Sequence, residues 1–319
     1  MKLCVFGAGA VGGHIAAKLA ASGEQVSVIA RGAQLEAIRK NGLRLLHGNA
    51  VISGKPKASE FPADLGPQDM VLVTLKANQL GSFADSAAPL LGPETAVVFV
   101  QNGIPWWTAK ELTRLDPGGK LARAVSPQRV IGGVGYSAHT MVEPGVIKNY
   151  VPGNNMIVVG EADLSSSQRI VALRKILEKA GMASPPVEDI RQAIWAKLLQ
   201  NLGTSSLTTL TGAAVDEVRG DPHLSKLMAR LGAEGTAIAK ALGVDVERAP
   251  TRPSGGQASG AAGHKPSMLQ DYERGRPMEI DAQLTAPLEL ARARGVPAPT
   301  LEAIVALVIH KATAKGLYS

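Results

Sequence analysis

One cysteine in 319 residues rules out an internal disulfide. A disulfide-stapled scaffold is therefore excluded, and a reducing cytoplasm is the expected setting. Aromatic residues make up only 3% of the chain. Lysine and arginine leave a formal net charge of +7, yet they are scattered and form no block. Nucleic-acid binding needs a clustered basic face with stacking groups, so no nucleic-acid partner is expected. The six histidines have no metal-ligand spacing, and no nucleophilic triad signature is present, so no metal is expected. The apolar helical run at 301–309 is too short to cross a bilayer, so no membrane partner is expected. The chain opens on a strand-like run without a cationic leader, so no targeting segment is expected.

What is present is 45% hydrophobic, largely Ala, Val, Leu and Ile, in a chain long enough for two cores. The first thirty residues are the most informative. An apolar run, 3–6, leads into Gly7-Ala8-Gly9-Ala10-Val11-Gly12, then a helical pattern that Gly23 stops, then a second apolar run, 26–30. Strand, glycine turn, helix and strand in this order form a dinucleotide-binding unit: the first glycine allows the turn, the second lets a pyrophosphate approach, and the third lets helix and strand pack. The free N–H groups at the helix start face the phosphates. The second strand ends Ile29-Ala30-Arg31, with no acid to bond a ribose 2′-hydroxyl. Arg31 carries a donor fork suited to a 2′-phosphate, so NADPH (NADP) is the expected cofactor.

Further strand-like runs fall at 70–75, 96–100, 130–135, 146–148 and 156–159, with helical stretches at 33–41, 80–91 and 166–180. Alternation of this kind gives a mostly parallel sheet, and the missing helices between the later strands point to an antiparallel far edge. Past the Pro-rich stretch 182–187 the strand signals stop. Segments 189–201, 222–242, 267–274, 279–294 and 299–315 read as helices, and 252–266 as a mobile Gly/Ser/Pro-rich loop. The expected fold is therefore α/β, with an N-terminal Rossmann-type doubly wound sheet over 1–185 and an all-α domain over 186–319.

Three polar clusters accompany the turn. Lys76 follows a strand at its carboxyl end, where ligands sit in a doubly wound sheet. Asn102 also follows a strand and offers both a donor and an acceptor, suiting a carboxamide or a substrate hydroxyl, although a plain Asn-Gly turn is the simpler alternative. Lys197, Asn201 and Ser205 are spaced i, i+4 and i+8, so they share one helical stripe beside Ile194 and Leu198. A lysine against an apolar wall can serve as a proton donor. Ser267 either caps a helix or binds substrate, and Glu279 either caps the next helix or bonds a nucleotide ribose.

These clusters together resemble the ketopantoate reductase (2-dehydropantoate 2-reductase) family over nearly the whole chain. GAGAVG at 7–12, TLKANQ at 74–79, QNG at 101–103, WAKLLQN at 195–201 and SMLQDYERGRPMEID at 267–281 match its motifs in order. The resemblance implies NADPH-dependent reduction of 2-dehydropantoate (ketopantoate) to pantoate, a step toward pantothenate and coenzyme A. By motif match it implies Lys197 as proton donor. Asn102, Asn201 and Ser267 would contact substrate, with Asn102 also near the nicotinamide. Arg31, Lys76 and Glu279 would hold the cofactor together with the glycine turn. Ser205 would line the substrate site in place of the asparagine that members often carry, and the Trp106-Trp107 pair also departs from the simplest pattern. Both departures bear on which keto acid is reduced. A homodimer is the expected assembly. The alternatives are a reductase of another 2-keto acid and a non-catalytic NADPH-sensing regulator.

Overall fold

A computed structural model describes residues 1–109, 111–251 and 263–318. Most of the loop expected to be mobile, 252–262, lies outside the described residues. The chain divides into two compact units. One comprises Met1–Gln101 and Gly118–Ile190; the other comprises Asn102–Pro117, Arg191–Ala249 and the described residues from 263 on.

The strands in chain order are β1 (Lys2–Phe6), β2 (Gln25–Ile29), β3 (Leu43–His47), β4 (Ala50–Gly54), β5 (Lys57–Ser59), β6 (Gln68–Val73), β7 (Leu91–Val100), β8 (Val130–Tyr136), β9 (His139–Glu143), β10 (Val146–Asn149) and β11 (Met156–Glu161). The helices are α1 (Ala10–Ala21), α2 (Gly32–Asn41), α3 (Leu80–Ser86), α4 (Lys120–Ala124), α5 (Gln168–Lys179), α6 (Ile190–Thr211), α7 (Val215–Gly220), α8 (Pro222–Ala241), α9 (Ser267–Glu273), α10 (Ala286–Ala293) and α11 (Pro299–Thr313).

In the first unit seven strands form a sheet of order β11-β8-β7-β6-β1-β2-β5. All neighbours are parallel except the β11–β8 pair, which is antiparallel. The chain steps outward from β1 to β2 and β5, then returns to β6 on the other side of β1. That reversal between β1 and β6 is the switch point at which doubly wound sheets hold ligands. The central strands read as unbroken apolar runs because both of their faces are covered; residues 3–6, 70–73 and 96–100 are all buried. Three of the four phenylalanines meet here. Phe83 of α3 makes edge contacts with Phe6 at 5.0 Å and Phe99 at 5.8 Å between ring centroids, pairs that contribute about 0.5–1.5 kcal/mol each beyond their burial.

A second, four-stranded sheet of order β4-β3-β10-β9 covers α1. The strand expected at 146–148 belongs to this sheet and not to the main one. Its fit on α1 is close: a Cβ at Gly13 would lie 2.7 Å from Ile147 Cδ1, and one at Gly54 would lie 2.7 Å from Ala20 Cβ.

The second unit is helical among its described residues. α6 and α8 approach closely because Gly203 faces Met228 and Gly235 faces Leu199 and Leu202. The helix expected at 279–294 begins instead with a π-helical turn, Asp281–Thr285, before α10. Segment 102–117, placed with the sheet domain by the 185/186 boundary, belongs to this unit. Its anchors are distant in sequence: the Ile104 amide donates to the Ala282 carbonyl at 2.7 Å, and Arg114 pairs with Glu289 at 3.5 Å.

Candidate functional site

The glycine turn is built by main chain. Gly7 has φ +102°, a conformation other residues adopt only with strain. Its amide donates to the Ile29 carbonyl at 3.1 Å, which ties β1 to β2. Its carbonyl accepts from the Thr74 hydroxyl at 2.6 Å. A Cβ on Gly12 would overlap both the Gly7 carbonyl and Thr74 Oγ1, so that position admits no side chain. Above Gly9, by contrast, a Cβ would meet nothing within 4 Å. α1 starts at Ala10 with no side-chain cap and no acid in its first turn. Its leading N–H groups are left for an external acceptor, which is what a dinucleotide pyrophosphate supplies.

Two residues that the sequence reading gave no role brace this turn. Thr74, at the end of β6, holds it from below. Gln34 of α2 donates to the Ala8 carbonyl at 2.7 Å and accepts from the Gly145 amide at 2.8 Å, joining the turn to the β9–β10 connection. The Thr74 signal was a hydroxyl at a strand end inside the TLK segment; Gln34 left no periodic signal.

Because β6, β1 and β2 are adjacent, Lys76, the glycine turn and Arg31 all follow the carboxyl ends of neighbouring strands. Arg31 is exposed, and Lys76 is half-buried. Two cations flanking an uncapped helix start fit an anionic dinucleotide. Cys4, in β1 beneath, is inert core: burial pushes its thiol up to about 12.

In the second unit, α6 carries Lys197 and Asn201, both half-buried, and Ser205, which is 3% exposed. Ile194, Leu198 and Leu202 beside them are buried. Most hydroxyls of the lower helix bond back to their own turn: Thr204 to the Gln200 carbonyl at 2.6 Å, Thr208 to Thr204 at 2.6 Å, and Ser206 to Leu202. The Ser205 hydroxyl does not take part in that pattern. Asn102 is half-buried and stands beside the π-helical turn, two residues before Ile104. Glu279 is buried and lies two residues before the same turn. Ser267 is exposed and is the first residue of α9; Pro266 occupies the cap position, so the serine makes no capping bond. Among the described residues, no group of three or more His, Cys, Asp and Glu could hold a metal ion, and no helix is long and apolar enough to cross a membrane.

The candidate residues thus fall into two sets: 7–12, Arg31 and Lys76 on the sheet unit, and Asn102, Lys197, Asn201, Ser205, Ser267 and Glu279 on the helical unit. Known proteins show the same pair of parts. The family described as Ketopantoate reductase PanE/ApbA matches residues 3–163, and its C-terminal counterpart matches 189–312. A 2-dehydropantoate 2-reductase from Mesorhizobium japonicum is 42% identical, with 100% of each chain covered. A solved structure from Ralstonia solanacearum MolK2, provisionally assigned as a ketopantoate reductase, is 35% identical with a TM-score of 0.88, covering 99% of each chain. The 2-dehydropantoate 2-reductase of Geobacter metallireducens GS-15 is 28% identical with a TM-score of 0.84, covering 97% of this chain and 99% of that one. The chain belongs to the ketopantoate reductase family, and so to the oxidoreductases that act on a CH–OH group.

Proposed function

We propose that this protein reduces 2-dehydropantoate to pantoate with NADPH, and that it works in the cytoplasm as a homodimer. The observation that carries the reaction is the α6 line, in which Lys197, Asn201 and Ser205 lie along one face beside a buried apolar wall. When bound, NADPH supplies the hydride to the ketone carbon. Lys197 donates a hydrogen bond to the ketone oxygen, stabilises the charge that develops there and delivers the proton. Asn201, Ser205 and Ser267 orient the substrate carboxylate and hydroxyl, and Asn102 orients substrate and carboxamide. Residues 7–12 take the pyrophosphate, Arg31 the 2′-phosphate, Lys76 a phosphate and Glu279 a ribose hydroxyl. The choice of substrate is supported by the full-length likeness to the Mesorhizobium reductase.

Steady-state oxidation of NADPH with 2-dehydropantoate tests the reading. Saturable turnover is expected, and none with this or any other 2-keto acid would refute it. The buried Ser205 favours one variant reading, a different keto acid, because a hydroxyl reaches less far than an amide. A panel of 2-keto acids ranked by kcat/KM separates the two. Light scattering checks the dimer.

A further inference from the structure

Asp281 closes the long signature at 267–281, yet the reaction described above gives it no task. Its carboxylate Oδ1 accepts a hydrogen bond from the Tyr318 hydroxyl at 2.6 Å. Asp281 is the first residue of the π-helical turn, and the next residue, Ala282, meets the Asn102 segment at close range, chiefly through its main chain. The Ile104 amide donates to the Ala282 carbonyl at 2.7 Å. Gly103 has φ +81°, and any Cβ there would overlap the Ala282 carbonyl. With no side chain between the two backbones, a shift of the π turn passes undamped to residues 102–104. The far side of the brace is also fixed. The Leu317 amide donates to the Ala312 carbonyl of α11 at 2.9 Å, and the Met278 amide donates to the Leu317 carbonyl at 3.3 Å. Leu317 itself is buried. A π turn is rare and tends to occur at functional sites; here the Tyr318 hydroxyl holds its first residue in place. Burial, and then the bond to Asp281, push that hydroxyl above its ordinary range, so it stays a donor at working pH.

We propose that Tyr318 and Asp281 are positioning residues for the keto-acid site, acting through the π-helical turn to fix the Asn102–Gly103 turn. The proposal rests on the reading of Asn102 as a substrate contact.

Tyr318→Phe removes only the hydroxyl and keeps the ring, and the main-chain bonds of Leu317 to Ala312 and Met278 do not depend on that hydroxyl. A small misplacement of a positioning group costs up to about 100-fold. The KM for 2-dehydropantoate should therefore rise about 10-fold, NADPH affinity should fall by less than that through the carboxamide contact of Asn102, and kcat should stay within about 2-fold. Amide exchange at Ile104 should speed up. Asp281→Ala should behave alike, while Asp281→Asn, which keeps an acceptor oxygen, should recover most of the loss. Tyr318→Phe added to Asn102→Ala should change KM no further, because the pathway is already cut. If Asn102→Ala raises KM strongly and Tyr318→Phe still multiplies that effect, or if Tyr318→Phe lowers only the melting temperature, the proposal is overturned and the reading of Asn102 stands. If Asn102→Ala leaves KM unchanged, the reading of Asn102 falls and takes the proposal with it.

Discussion

The two sets of candidate residues are made of different material. On the sheet unit the centre of the candidate site, between the side chains of Arg31 and Lys76, is main chain: a turn at positive φ, a helix start with no cap, and one glycine whose neighbours leave no room for a methyl group. On the helical unit it is side chain: a lysine, an amide and a hydroxyl set one turn apart on a rigid helix. The first kind of site is destroyed by adding atoms and the second by removing them. The sheet unit should therefore contribute most to holding the cofactor, and the helical unit should decide which keto acid is held and what happens to it.

Removing the Lys197 amine is the sharpest break of that division. General acid catalysis contributes about 10²–10⁴-fold. Lys197→Ala should lower kcat by about that factor and leave NADPH affinity, measured by fluorescence titration, unchanged. Lys197→Arg should not rescue it, because a guanidinium holds its proton at working pH. A near-normal kcat in the alanine variant would move the proton donor elsewhere.

Adding atoms to the turn should do the converse, and two glycines separate folding from binding. At Gly12 the new Cβ meets a backbone carbonyl that cannot yield. Gly12→Ala should cost about 1–3 kcal/mol of stability, as overpacking does, and should weaken NADPH as well. At Gly9 the backbone (φ −72°) suits alanine and the space above is open. Gly9→Ala should leave the melting temperature unchanged and still weaken NADPH by about 10-fold, the loss of roughly one good hydrogen-bonded contact. Unchanged affinity in Gly9→Ala would mean that no phosphate approaches there.

The same contrast explains what could be read from the sequence. The glycine turn was legible because glycine spacing encodes backbone geometry directly. The α6 line was legible because helical periodicity places Lys197, Asn201 and Ser205 on one face. The antiparallel far edge at β11 followed from the missing crossover helix. The second sheet was only partly visible: β3, β4 and β9 are short and keep residues such as Val51 and Val142 exposed, so they lack the buried-strand signature. The assignment of 102–117 to the helical unit rests on the Ile104–Ala282 bond, which joins residues far apart in the chain. The π turn likewise has no period that differs enough from a helix to show over five residues.

A smaller effect tests the cofactor preference. A hydrogen bond to a charged group contributes about 1.5–3 kcal/mol, so NADPH should bind roughly 10- to 100-fold more tightly than NADH. Arg31→Ala should erase most of that difference without changing NADH affinity or kcat at saturation. Equal affinities in the unchanged protein would remove Arg31 from the site.

The smallest effect concerns the sheet unit's packing. His14 lies on α1 directly after the glycine turn and is 1% exposed. Neither of its ring nitrogens has a hydrogen-bond partner. Its ring stacks on His139 of β9 at 4.0 Å between centroids, tilted by 37°. Burial holds its pKa well below 6.5, and repulsion from His139, Lys18 and His47 adds to the depression. His14 is therefore neutral when folded and takes up a proton readily only when unfolded. Its folded pKa is below its unfolded value, so between the two the unfolded state binds more protons and stability rises with pH. Above the unfolded value near 6.5 the contribution is flat; below it, His14 costs up to about 1.4 kcal/mol of stability per pH unit until the folded pKa is reached. Urea unfolding at pH 7.5 and 5.5 should show that loss. His14→Leu removes an unsatisfied buried polar group, so it should leave stability at pH 7.5 equal or higher and flatten the slope between the two pH values. A residual slope from His47, whose pKa is also lowered by burial, is expected to remain. An undiminished slope in the leucine variant would show that the acid sensitivity of the sheet unit does not come from the buried imidazole of α1.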